Sequence, residues 1–276
     1  MTSITIVLTR YSEPDQMVRD CLESLALQKA PGISVTVLFL DQQRAGLQRY
    51  CAAISTENIS FVYQEILAKS LSYARNIGIK ESKTDLVLFC DVDCTFESNW
   101  VSEIVDTFDA TSAAVVGTKI VPKWSMKPYW YHHSPYVLEF YSMLDLGIER
   151  KMVNKVIGAS FAIDKSKLGK IAYFDENLGR VSGKLLGGEE TDLCIRVGNA
   201  GMSVYYTPDT FIHHRVEPER IKLTWLIKRA YFGGISRSKR GGSIQTSTKS
   251  PLKLRDRMAL ALIAPAYITG LIRAKF

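Results

Sequence analysis

Apolar runs alternating with amphipathic segments constrain this chain more than any other feature of its sequence. In the first half, ITIVLT (4–9), ISVTVLFL (33–40), SFVY (60–63) and DLVLFC (85–90) are short, continuous and rich in strand-forming residues. Asp15–Gln28 carries Met17, Val18, Cys21, Leu22 and Leu25 at helical spacing. Ser70–Glu81 has a partial stripe, Leu71, Ala74, Ile77 and Ile79, and Asn99–Phe108 also reads as a helix. Strands apolar on both faces and separated by helices imply an α/β fold with a mostly parallel sheet covered on both sides. Such sheets bind ligands beyond the carboxyl ends of their strands. The polar stretches TRYSEP (9–14), DQQ (41–43) and DVDC (91–94) fall at three of those ends.

The second half is less regular. Ala113–Val121 and Val156–Ile163 read as strands, and Ser203–Tyr206 and Phe211–His213 as two short strands around Pro208. The aromatic stretch 124–141 reads as a loop; its part 129–141, with the segment 178–186, either flanks an acceptor or forms a hydrophobic lid over the sheet. Residues 219–236 form a helix with interleaved basic and aromatic residues, and Met258–Ile272 is an apolar segment. Between them, the Gly/Ser/Thr/Lys-rich stretch 237–251 reads as a flexible linker. The expected division is therefore a main domain, 1–218, and a C-terminal helical extension, 219–276. The extension either packs on the domain or rests on a membrane surface.

Composition limits the function classes. The 276 residues are 46% hydrophobic and 23% charged, enough to bury a sizeable core. A net charge of +7 favours anionic partners without choosing among them. No nucleic-acid-binding motif accompanies the charge, so nucleic acid is not an expected partner. The five cysteines are odd in number and scattered, which fits neither a disulfide framework nor a zinc site and suits a reducing cytosol. The segment MTSITIVLTR lacks the basic start, apolar core and small-residue cleavage site of a signal peptide. No apolar run reaches the roughly 18–20 residues that span a bilayer. A cytoplasmic protein, peripheral at most to the inner face of a membrane, is expected.

Three clusters can carry chemistry. Asp91 and Asp93 end the fourth strand; they either cap the turn and face solvent, or hold Mg²⁺ or Mn²⁺ with a substrate diphosphate. Gly187-Gly188-Glu189-Glu190-Thr191-Asp192 opens a helix, where acids serve as caps, or one serves as a general base. His213 and His214 follow a short strand and alternate faces, so one at most points at a site.

These residues, taken together, resemble family 2 glycosyltransferases of the GT-A fold. The resemblance covers residues 3–235 and rests on ITIVLTRYSEPDQMVRDCLESLALQ, SVTVLFLDQQ, SLSYARNIGIKESKTDLVLFCDVDCTF, VIGASFAIDKSKL, AYFDENL and GGEETDLCIRVGNAGMSVYYTPDTFIHH, in the family's order. It implies a Rossmann-like sheet flanked by helices and inverting transfer from a nucleoside-diphosphate sugar. The acceptor would be a saccharide or a lipid-linked one, and the cofactor Mn²⁺ or Mg²⁺. By resemblance, Thr9, Tyr11, Glu13, Asp41, Arg75 and Asp91 lie on the donor nucleotide. Asp93, with Asp91 and His214, lies at the metal. Glu190 is the base, with Glu189 a competitor and Asp192 part of the following helix. The family's usual base is Asp, so Glu190 is one methylene longer. Arg10 and Ser12 also depart from the residues common in the first loop. The rival readings are a metal-dependent nucleotidyltransferase, against which TRYSEPD has no glycine, and a non-catalytic nucleotide- or carbohydrate-binding module.

Overall fold

The computed structural model describes residues 2–181, 184–241 and 251–274. Its strands are β1 (Thr2–Arg10), β2 (Ile33–Asp41), β3 (Ile59–Glu65), β4 (Leu86–Asp91), β5 (Cys94–Phe96), β6 (Ala113–Trp124), β7 (Lys151–Met152), β8 (Ser160–Asp164) and β9 (Ser203–Val216). Its α-helices are α1 (Asp15–Ala26), α2 (Gln48–Ile54), α3 (Leu71–Glu81), α4 (Trp100–Ala110), α5 (Pro135–Leu138), α6 (Lys165–Leu168), α7 (Glu189–Asn199), α8 (Pro218–Ile221), α9 (Leu223–Arg240) and α10 (Leu254–Arg273).

One mixed sheet runs β3-β2-β1-β4-β8-β6-β9-β5, with β7 also paired to β9. The four strands from β3 to β4 are parallel neighbours, as their continuous apolar runs imply. Beyond them β8 runs antiparallel to both β4 and β6, and β6 pairs in parallel with β9, so the antiparallel β8 divides two parallel parts of the sheet. Alternate residues of β1 enter opposite layers: Ile4, Ile6 and Leu8 pack on one face and Val7 on the other. The α1 stripe Met17, Val18, Cys21, Leu22 and Leu25 is buried as its spacing predicts.

Several local expectations change. Ser203–Tyr206 and Phe211–His213 are parts of one strand, β9. Its pairing with β6 jumps from Thr207↔Thr118 to Phe211↔Lys119, so residues around Pro208 bulge out of the ladder. A proline that cannot donate to a ladder is accommodated at such a bulge. The strand expected over Val156–Ile163 starts only at Ser160; before it the chain turns, with Ser160 N–H donating to the Ile157 carbonyl at 3.2 Å. The expected linker 237–251 is helical through Arg240, and residues 242–250 lie outside the described residues. Leu226 and Ala230 of α9 join Ala259 and Ile263 of α10 in the main core cluster, so both helices pack on the sheet domain.

The register positions the site. Thr9 pairs with Asp91 and Arg10 with Asp41, which brings the ends of β1, β2 and β4 to one edge. On the far side of the sheet Cys94 pairs with His214, which carries a residue from the end of β9 back to Asp93.

Candidate active site

A cavity of about 260 Å³ opens at that edge, lined by Thr9, Tyr11, Glu13, Asp91, Asp93 and Arg180 among others. Thr9 is buried and Tyr11 half exposed. Glu13 turns inward on its own loop, its carboxylate accepting from the Tyr11 and Ser12 amides at 2.8 and 3.0 Å. Asp41 does not line the cavity. It is fully buried, accepts from the Gln43 and Ala45 amides (2.8 and 3.1 Å) and from the Tyr63 hydroxyl (2.9 Å), and faces Arg10 at 3.7 Å. Burial, reinforced by the Asp41 hydrogen bond, pushes the Tyr63 hydroxyl up to about 12. Asp41 thus shapes the turn that carries Gln42 to the cavity wall.

Arg75, on α3, is 1% exposed and does not line the cavity either. Its guanidinium donates to Glu189 Oε1 at 2.7 Å, to the Gly158 carbonyl at 2.8 Å and to Asp91 Oδ1 at 3.2 Å. It thereby ties the end of β4 to the start of α7. Burial, followed by the neighbouring Asp93 charge, raises the Asp91 carboxyl above its ordinary value, against the pull of Arg75. Glu189 is 4% exposed, and its second oxygen is buried without a hydrogen-bond partner among the described residues. Glu190, the next residue, is half-buried and lines a second cavity of about 190 Å³. Burial and the Glu189 charge raise its carboxyl to about 7. Gly188 precedes α7 at φ 92°, a conformation that favours glycine, and so lets the chain enter the helix sharply.

Asp93 is held from two sides. His214 Nε2 lies 3.2 Å from Oδ1, and Arg220 Nη1, on α8, lies 2.8 Å from Oδ2. Burial alone would raise the Asp93 carboxyl, but His214 and Arg220 hold it well below the usual carboxylate range. Of the two adjacent histidines, His214 is 1% exposed and points in, while His213 faces outward near Glu97. Ligand atoms of Asp93, Cys94 and His214 lie within 4.8 Å of one another. Burial, then the Asp93 and Asp91 charges, push the Cys94 thiol well above its ordinary value, so it stays protonated and is a poor partner for a hard cation. The Asp93 carboxylate suits Mg²⁺ or Mn²⁺, and of the two the softer Mn²⁺ better tolerates the His214 imidazole beside it. The residues therefore fit such an ion, with Oδ1 on the His214 side and Oδ2 engaged by Arg220.

Arg220, Arg180, Lys69 and Lys184 were not singled out by sequence reasoning; the last three line the first cavity. They are isolated basic residues in loops or a one-turn helix, where no periodicity marks them.

Residues 5–178 match the family model described as glycosyl transferase family 2. The chain belongs to that family. This family 2 chain is 27% identical over 172 residues to the glucosyl-dolichyl phosphate glucuronosyltransferase of Haloferax volcanii, a match covering 61% of this chain and 55% of that protein. It is 25% identical over 240 residues to the succinoglycan biosynthesis protein ExoM of Rhizobium meliloti, covering 84% of this chain and 72% of the relative. The match thus spans about half the length of the glucuronosyltransferase. Among solved structures, GalNAc-T7 with UDP, GalNAc and Mn²⁺ superposes with a TM-score of 0.61 at 12% identity, covering 96% of this chain and 54% of that one. S. aureus TarS gives 0.55 at 13% identity, covering 98% and 44%. The fold is that of these glycosyltransferases, the GT-A arrangement that the family 2 resemblance implies.

Proposed function

We propose that this chain transfers a sugar from a nucleoside-diphosphate donor to an acceptor hydroxyl with inversion, in the synthesis of a polysaccharide or glycoconjugate. The observation that carries the reading is the Arg75 bridge, which joins Asp91 in the donor cavity to Glu189, next to Glu190 in the second cavity. Donor and acceptor chemistry thus meet across one buried cation. UDP accompanies two of the similar solved structures, GalNAc-T7 and TarS 1–349, which supports a nucleotide donor.

The proposed roles follow from placement. Thr9, Tyr11 and Glu13 border the nucleotide, with Asp41 acting through the turn it holds. Arg180, Lys69 and Lys184 surround the diphosphate with positive charge. Asp93 and His214 would hold Mn²⁺ or Mg²⁺, which when bound offsets the charge on a leaving diphosphate. Glu190, not Glu189, is the base, because Glu189 is sealed against Arg75 while Glu190 faces an open cavity with a carboxyl near 7. Glu190 takes the acceptor's proton, the acceptor oxygen bonds to the anomeric carbon, and the carbon–oxygen bond to the diphosphate breaks on the opposite face. Positioning and charge stabilisation carry most of the rate.

Residues 1–218 form the transfer domain in this reading and 219–276 an extension bordering the acceptor. No helix among the described residues is long and apolar enough to cross a membrane. Leu254, Met258, Leu262, Ile268 and Ile272 nevertheless fall on one side of α10 and are exposed, beside Arg255, Arg257 and Arg273. Such a face suits peripheral contact with the inner, cytoplasmic surface of a membrane carrying a lipid-linked acceptor.

Asp93→Ala and Glu190→Gln test the scheme, assayed by transfer and by donor binding. Both are expected to abolish transfer, while Glu190→Gln retains donor binding. Full turnover by the Asp93→Ala protein in a chelator contradicts it.

A further inference from the structure

The second cavity has a wall that the transfer step does not use. Arg229, Gly233, Ser236, Arg237 and Arg240 recur at helical spacing, so one face of α9 closes the cavity opposite Gly187, Gly188 and Glu190. This face is pinned in place. Arg229 donates to the Leu185 carbonyl at 2.9 Å, and the Ser236 hydroxyl accepts from the Gly187 amide at 3.0 Å.

The charge in this cavity is unbalanced. Lys155 is paired with Glu139 at 2.8 Å. Arg229, Arg237 and Arg240 have no ion pair among the described residues, and Glu190 stays beyond 4 Å of all of them. Arg240 Nε is buried without a hydrogen-bond partner among the described residues. Burial and the nearby Arg180 lower Arg229 to about 10, and burial, with Arg237 close by, lowers Arg240. Crowded guanidinium groups facing an open cavity match the geometry and charge of phosphate oxygens. A side chain at Gly188 would meet Arg240 Nη1 at 3.1 Å, and one at Gly233 would meet the Phe140 ring at 3.2 Å, so both glycines keep the space open. The Phe140 and Tyr267 rings, 6.3 Å apart, give the cavity an apolar flank beside its basic one.

We propose that Arg229, Arg237 and Arg240 bind a phosphate or diphosphate carried by the acceptor, and so present the acceptor hydroxyl to Glu190. This inference rests on the transfer reading and adds a substrate class to it. The phosphate belongs either to a lipid headgroup or to a free sugar phosphate.

Calorimetry in EDTA, with farnesyl phosphate and with glucose 1-phosphate, separates the possibilities. It is run on the wild type, on Arg237→Gln/Arg240→Gln and on Asp93→Ala. At least one ester is expected to bind the wild type and Asp93→Ala alike and to lose at least tenfold in affinity in the double variant. The double variant should still bind a nucleoside diphosphate with Mn²⁺, which shows that it is folded. Tighter farnesyl phosphate identifies a lipid phosphate, and tighter glucose 1-phosphate a soluble one. Unchanged ester affinity in the double variant overturns the proposal, as does equal loss in Asp93→Ala. So does the absence of ester binding in a protein that binds a nucleoside diphosphate. Esters bound through these arginines in a protein that binds no nucleoside diphosphate overturn the transfer reading and leave the anion site standing.

Discussion

Arg75 holds two carboxylates that lie far apart in sequence, the buried Glu189 and Asp91 on the wall of the first cavity, and is itself fully buried. Replacing it by Met leaves both acids without their cation, and breaking such a buried pair costs about 3–5 kcal/mol. Urea denaturation of Arg75→Met should show a loss of that size. The ARN segment marks this residue in the sequence, but not its burial: its partners come from a turn at Gly158 and a helix start at Glu189 that no local pattern connects to it. Glu190 yields a prediction in pH. As the proposed base it acts in its carboxylate form, so the rate should rise with pH through about 7 and level off above it. Stability runs the other way. The folded carboxyl titrates above its unfolded value, so the folded state binds more protons between about 4.5 and 7 and stability falls across that window. Glu190→Gln removes this loss, on the order of 2 kcal/mol after allowance for partial exposure. Thermal unfolding should show the variant more stable than wild type at pH 8 and equal to it near pH 4.

Helices α9 and α10 meet backbone to backbone. A Cβ on Gly234 would run into the Tyr267 carbonyl, and one on Gly270 into the Tyr231 carbonyl, both well inside van der Waals contact. Neither carbonyl can yield without moving its helix. Gly234→Ala and Gly270→Ala should therefore each destabilise the protein by about 2 kcal/mol or more, outweighing alanine's gain in helix propensity. Limited proteolysis within α9 and α10 should quicken in both variants. Element by element, legibility followed locality. β1, β2 and β4 are evident in the sequence because their burial on both faces leaves continuous apolar runs. α1 is evident because its stripe is regular. β9 is hidden by Pro208, since a bulge that absorbs a proline looks the same in sequence as a strand end. The turn at 157–160 is hidden because its residues are as apolar as a strand yet are buried without continuing the ladder.

The whole molecule carries two cavities, one at the parallel strand ends, lined by Arg180 and Lys184, and one against α9, lined by Gly187 and Gly188. The first was legible because strand-end polarity is local: Thr9, Asp91 and Asp93 announce it. The second was not, because Arg229 reads as one basic residue of an interleaved helix while Arg237 and Arg240 fall in the stretch expected to be a linker; only the continuation of α9 through Arg240 puts all three on one face. His214 lies between these cases, with strand alternation showing that one histidine of the pair turns inward and only the β5–β9 register showing that it meets Asp93. The exposed apolar side of α10 predicts that the protein co-sediments with anionic vesicles and that deleting residues 252–276 abolishes this; equal sedimentation of the truncated protein would remove the membrane from the account. The central claim, a metal-held nucleotide at Asp93 and His214 with Glu190 outside the donor contacts, is tested most directly by calorimetry of nucleoside diphosphates with and without Mn²⁺. One nucleoside diphosphate should bind the wild type and Glu190→Gln only with the metal, and Asp93→Ala not at all. Equal binding in EDTA, or by Asp93→Ala, would contradict it.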